Sequence, residues 1–183
     1  MESAGFKEWS LVCDALGRGR QSVILRKGGI AEGRGGFSFR HREFFLFPTF
    51  FHEQIAKVRI AAADIPAPGS TITIRWYASV ERVVRINSLA IAEALAPFHI
   101  LSPGVVRERF GHKGDGLNVA FVRVFEISPV WVLQNERRFS GCRSWVELPP
   151  LPEMTMRAAL NDSAQTKLRA QFDQIVSSSR AKL

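Results

Sequence analysis

Apolar residues fall at Phe6, Trp9, Val12, Cys13 and Leu16, in steps of three and four that share one face of an α-helix. Gly17 stands where a C′ glycine would end that helix. A short apolar run at 22–25 reads as a buried strand; it ends on Arg26 and Lys27 and turns at Gly28 and Gly29. Residues 33–42 have the composition of a loop, with Phe37 and Phe39 placed to pin it to the core. Residues 44–47, Phe-Phe-Leu-Phe, form a second buried strand that Pro48 closes, and Thr49 is positioned to cap a short helix through His52 and Gln54.

Further along, Pro66, Pro68 and Gly69 mark 61–70 as a loop. The β-rich run 71–86 is predicted to bend near its middle. Asn87 is placed to cap a helix over 88–96, and Ser102 with Pro103 to open a helix that runs to Phe110 and stops at Gly111. Residues 117–127 are apolar on both faces apart from Arg123 and Glu126, the pattern of a central strand. A further strand is expected at 143–148. Pro149, Pro150 and Pro152 form a stiff linker, and Asp162 with Gln165 resembles a capping box. Leu168, Phe172, Ile175 and Val176 then form one apolar stripe on a final helix, which either docks on its own domain or joins a second chain. The pattern predicts one α+β domain over 1–150, with a mainly antiparallel, barrel-like sheet and short rim helices. The proline-containing linker and C-terminal helix occupy 151–183.

Composition adds a charge argument. The chain has 183 residues, 46% apolar and 23% charged, enough hydrophobic material for a core. Lys and Arg outnumber Asp and Glu by 25 to 17, a net charge of +8 that favours polyanionic partners. Cys13 and Cys142 are too few for a disulfide framework or zinc site, and both read as buried reduced thiols. The amino terminus has no basic segment leading into an apolar run, and nothing approaches the ~20 apolar residues of a membrane span. The expectation is a cytoplasmic protein with no membrane association.

Between Leu16 and Arg42 lie Arg18, Arg20, Arg26, Lys27, Arg34, Arg40 and Arg42, against the single acid Glu32 among these loop and strand positions outside the first helix. Guanidinium groups grip phosphate bidentately, and glycine lets backbone N–H groups approach the same oxygens. The candidate nucleic-acid contacts are therefore Arg26, Lys27, Gly28, Gly29, Arg34, Arg40 and Arg42, with His52 and Gln54 lining a polar pocket. His41, Glu43, His52 and Glu53 lack the i, i+4 pairing of a helical metal site, so no metal or cofactor is expected. His99 reads as a satisfied, half-buried histidine and His112 as loop surface. There is no Gly-Lys-Ser/Thr phosphate loop, no Gly-x-Ser-x-Gly elbow, and no acid two residues before any lysine as a restriction-type nuclease core requires.

The segments FKEWSLVCDALGRGRQSVILRKGGIAEG, FFLFPTFFHEQ and SGCRSWVEL together resemble the bacterial family catalogued as domain of unknown function 1802, over most of 5–150. Gly19 and Arg26 also keep the separation of the first and last residues of the Gly-x-Lys-x-x-Glu-x-Arg motif of ASCH proteins, a group of PUA-like barrels. Gln21 stands where that motif has Lys, and Ile24 where it has Glu. The resemblance implies a PUA-like fold and a partner of RNA or modified-nucleobase type, with the groups for chemistry missing. Residues and resemblance lead to one expectation: a non-catalytic module whose basic Gly/Arg loop grips RNA or DNA. Two alternatives stand beside it. One is a nucleotide or phosphoester hydrolase with His52 and Glu53 as acid–base pair and Arg26 as anion clamp. The other is a regulatory or assembly protein that meets a protein partner through its C-terminal helix.

Overall fold

The computed structural model describes residues 3–27, 38–50, 52–60, 69–112, 114 and 116–177, residue 52 through its backbone. The chain opens with a strand, β1 (Ala4–Trp9), followed directly by helix α1 (Ser10–Gly17). The predicted helix therefore covers only its second half. The reason lies outside the local pattern: β1 pairs in parallel with β3 (Glu43–Thr49), from Gly5 opposite Phe45 to Trp9 opposite Thr49. Phe6 is fully buried there, its ring 5.2 Å from Phe44 and 4.9 Å from Trp145. Helical spacing between Phe6 and Trp9 is a coincidence that this non-local pairing overrides.

Between them comes β2 (Val23–Arg26), and β3 is followed by a 3-10 turn, His52–Lys57. Next are β4 (Thr71–Ile86), α2 (Leu89–Ala94), α3 (Pro103–Gly111), β5 (Leu117–Gln134), β6 (Trp145–Glu147), β7 (Thr155–Ala158) and α4 (Asp162–Ser177). The strands form one sheet in the order β2-β5-β4-β3-β1-β6, with β7 added to β5. All pairings except β1 with β3 are antiparallel, and the described ladder does not close into a ring. β4 and β5 run together from Thr71 opposite Gln134 to Ile86 opposite Leu117. Register shifts at Ile74/Trp76 and Val80/Arg82 supply the expected bend.

Both faces of the sheet are covered, which explains the unbroken apolar run in β3. Phe44 and Leu46 enter a large core with Phe121, Leu16 and Phe172, while Phe45 and Phe47 enter a second core with Tyr77, Trp131 and Phe139. Gly17 is the last residue of α1 rather than a residue beyond it. A Cβ there would lie 2.1 Å from the indole of Trp76, so glycine is needed for that close approach. The left-handed position is Gly19, with φ of 68°.

The C-terminal segment belongs to the same body. Its strand β7, which the sequence reading missed, pairs with β5 from Phe125 opposite Ala158 to Ser128 opposite Thr155. Phe172 of α4 is fully buried, 5.2 Å from the ring of Phe121 and 6.1 Å from that of Phe98. The expected capping box is replaced by Asn161, whose Oδ1 accepts from the Ala164 N–H at 2.9 Å. Gln165 turns inward instead and donates to the Val122 carbonyl at 3.3 Å. Among the described residues no helix is long and apolar enough to cross a membrane.

Candidate anion-binding cleft

The ends of β1, β2 and α3 meet the turn at 140–144 around a cleft of about 290 Å³, lined by Arg26, Lys27, Glu108, Arg109, His112, Cys142 and Ser144. Its foundation is Glu8, a carboxylate only 2% exposed. Glu8 Oε1 accepts from the Trp9 N–H at 2.9 Å, and Oε2 lies 3.3 Å from Arg26 Nη2. The same Arg26 nitrogen donates to the Lys7 carbonyl, and its guanidinium lies 4.7 Å above the Phe6 ring. Arg26 therefore straps the end of β2 to β1 where no backbone ladder joins them. Its Nε is buried and has no partner among the described residues.

Arg109 approaches the same carboxylate from α3. Its Nη1 donates to the Leu25 carbonyl at 2.8 Å, and its guanidinium lies 4.7 Å over Trp9. Burial pushes its pKa down to about 10; Glu8 opposes that shift and Arg26 adds to it. Even so, the side chain stays charged at neutral pH. Lys27 is held by three backbone carbonyls. Its Nζ donates to Phe110 and Gly116, each at 2.8 Å, and to Gly114. A cation at the last turn of a helix satisfies carbonyls that have no intrahelical partner, so Lys27 joins β2 to the end of α3. Lys7 also meets the 140–144 turn, donating to the Gly141 carbonyl at 2.9 Å. Burial, then the charge of Arg143, lowers its pKa.

The residues singled out from sequence separate into groups. Arg26 and Lys27 line the cleft, though most of their hydrogen bonding goes to the fold. Arg40 and Arg42 are exposed on the approach to β3 and do not line it. Gly28, Gly29 and Arg34 lie outside the described residues, as does the side chain of His52. Glu53 is exposed on the 3-10 turn and is absent from the cleft lining. Gln54 does not line a pocket: it is fully buried, accepting from Ser10 Oγ at 3.3 Å and the Leu11 N–H at 3.2 Å, and donating to the Thr49 carbonyl at 3.3 Å. Its amide satisfies the start of α1. Arg18 and Arg20 are both held by Asp14, at 2.7 and 2.9 Å.

Other expectations also change. Cys13 is buried, and burial raises its pKa well above the usual thiol value, but Cys142 is exposed at the cleft. His112 is at the surface as expected, and that surface is the cleft mouth. His99 is 3% exposed rather than half-buried; its Nδ1 accepts from the Leu101 N–H at 3.2 Å, and Nε2 has no partner among the described residues. Burial, then Arg59 and Arg109, lowers its pKa to about 4.

Arg109 is the principal omission of the sequence reading. Its signal was available: it stands in the inward stripe of α3 with Val105, Val106 and Phe110, where an arginine requires a reason. Among the described residues no group of three or more His, Cys, Asp or Glu is placed to hold a metal ion.

Gln21 and Ile24, the two departures from the ASCH motif, are both interior. Gln21 accepts from the Ile100 N–H at 3.1 Å and donates to the Val23 carbonyl at 2.8 Å, and Ile24 is fully buried. The fold is similar to that of the ASCH protein from Zymomonas mobilis, with 12% identity, a TM-score of 0.50, and coverage of 91% of this chain and 93% of that one. A mutant form of the same protein gives 12% identity and a TM-score of 0.50, with coverage of 93% and 98%. At that identity the likeness concerns the fold alone, and it agrees with the PUA-like architecture that the Gly19–Arg26 spacing suggested. No curated protein matches the chain. A family described as domain of unknown function, DUF1802, matches residues 5–171, nearly the whole described body including most of α4, and the chain belongs to that family.

Proposed function

We propose that this chain is a nucleic-acid-binding module without catalysis of its own, and that the cleft between β2, α3 and the 140–144 turn is where it meets phosphate. The observation that carries this reading is the convergence of Arg26, Lys27, Arg109 and His112 on one cleft where, among the described residues, Glu108 is the single lining carboxylate. Glu8 beneath it already answers Arg26. Such a surplus of positive charge attracts phosphate at long range, and a guanidinium then fits it by shape. Two features favour binding over hydrolysis. The motif positions that would carry Lys and Glu hold Gln21 and Ile24, both committed to the core. Glu53, the proposed acid–base partner of His52, lies off the cleft that holds Arg26.

Arg26→Ala and Lys27→Ala are poor probes, because both side chains hold β2 in place. Arg143 and His112 are exposed and flank the cleft, so their loss leaves the fold intact. Fluorescence anisotropy with single-stranded and duplex RNA and DNA, titrated with salt, should show binding that weakens linearly on logarithmic axes. Arg143→Ala with His112→Ala should lower the salt slope by about 1 for each phosphate contact removed. The melting temperature should stay within about 2 °C. Binding that ignores both salt and these substitutions would remove the cleft from the proposal.

A further inference from the structure

The dimensions and lining of the cleft narrow what part of a nucleic acid enters it. Its volume of about 290 Å³ is at the low end of small-ligand sites, roughly 300–1,000 Å³, so it holds one nucleotide-sized group and not a tract. No Phe, Tyr or Trp is among the described lining residues, and the neighbouring Trp9 ring has Arg109 over it. Among the described residues a base therefore finds no open aromatic platform on which to stack, and their side chains are suited to phosphate and sugar.

Charge points the same way. Glu8 and Glu108 set against Arg26, Lys27 and Arg109 leave one positive charge in excess, before His112 at the mouth or the adjacent Arg143 is counted. A phosphomonoester carries about −1.5 to −2 at neutral pH, against a single negative charge on each internal phosphodiester. With the adjacent Arg143 counted the excess among the described residues is two, for which the monoester is the better counterpart. A guanidinium has five N–H donors in a planar fork. Among the described residues Arg109 has one of its own engaged, by the Leu25 carbonyl.

We infer that the cleft takes a terminal phosphomonoester, carried by a mononucleotide or by the end of a strand, with Arg109 as its bidentate partner. This rests on the nucleic-acid-binding reading but can fail separately from it. Lys27 supplies field without direct contact, because its donors are on backbone carbonyls. Glu108 at the rim is placed to accept a hydroxyl of the attached sugar.

The test is direct binding by calorimetry. The probes are inorganic phosphate, uridine and adenosine monophosphates, and one short single-stranded RNA bearing a 5′-phosphate, a 3′-phosphate or only hydroxyl ends. The phosphorylated end should bind at least about tenfold more tightly than the hydroxyl end, the worth of one charge-assisted contact. The salt slope should be near 0.7 to 1.4, as for about one or two contacts on a single strand. Arg109→Lys keeps the charge but loses the fork, so it should abolish the preference. His112→Gln, at an exposed position, should reduce it with an unchanged melting curve. Equal affinity for all ends, with a slope of several contacts, overturns the inference and leaves the binding reading standing. Mononucleotides that bind when no strand does uphold the inference and overturn the strand reading. Binding of no probe overturns both, and binding of inorganic phosphate as tight as that of the nucleotides overturns the nucleotide assignment.

Discussion

Arginines do opposite work on two sides of this sheet. Where α4 lies on β4 and β5, each cation meets an acid: Arg82 contacts Asp173 at 2.7 Å, Arg169 contacts Asp173 at 3.0 Å and Glu81 at 3.6 Å, and Arg123 pairs with Asp162. Charge there is matched, and Phe172 beneath it supplies the adhesion. At the cleft, Arg26 and Arg109 crowd one buried carboxylate while Lys27 rests on carbonyls. The same residue type fastens a helix in one place and leaves an excess of positive field in the other. What differs is the supply of acids, and a tally of net charge cannot show that.

Glu8→Gln is the harshest way to break the comparison. It leaves Arg26 without its carboxylate partner and Arg109 with Glu108 alone, and removing one partner of a buried pair costs roughly 3–5 kcal/mol. Arg26 keeps 21% of its side chain exposed, so the low end applies. We expect a loss of about 3 kcal/mol, or about 6–12 °C in melting temperature for a chain of this size. An unchanged melting temperature would mean that Glu8 does not anchor the cleft.

The second test uses the positive field itself. His99 is held neutral by burial and by Arg59 and Arg109, with a pKa of about 4 against 6.5 in the unfolded chain. Its folded pKa is depressed, so its contribution is fully present above pH 6.5 and is lost as pH falls towards 4. Across that window the unfolded state binds a proton that the folded state refuses, which removes about 3 kcal/mol in total. Denaturant unfolding at stepped pH should show this slope, and His99→Gln should flatten it. A wild-type protein equally stable at pH 4.5 and 7 would mean that burial and the two arginines together do not hold His99 neutral.

Where local pattern and tertiary partner agreed, the chain could be read directly. The span 71–86 and its mid-strand bend emerge as β4 because alternation and β-branched residues act locally. The stripe from Leu168 to Val176 likewise becomes α4. Reading failed where a distant partner decides. Phe6 joins a strand because β3 supplies a parallel neighbour, and β7, whose exposed residues alternate weakly, exists only through β5. The site was half legible for the same reason. Arg26 and Lys27 stood out as a basic pair, but nothing near them in sequence shows that Glu8 and the end of α3 hold them. Arg109 was not singled out at all, because nothing in its local pattern names its partners. Burial, which turns it into the centre of the cleft, is a property of the folded body.

The mildest test concerns the matched side. Asp173→Asn removes the acid shared by Arg82 and Arg169, all three about one-third exposed. Exposed pairs contribute about 0.2–1 kcal/mol after screening and side-chain entropy, and Arg169 retains Glu81. The expected loss is therefore at most about 1 kcal/mol, a shift of about 2–4 °C, fading further in high salt. The substitution also raises the net charge by one, at a residue that does not line the cleft. If a general increase in positive charge were enough for nucleic-acid binding, affinity would rise. If the local surplus at Arg26 and Arg109 is what matters, affinity should change by less than twofold while the Arg143 and His112 substitutions weaken it and lower its salt slope. A gain in binding from Asp173→Asn would thus dissolve the distinction between the two sides of the sheet.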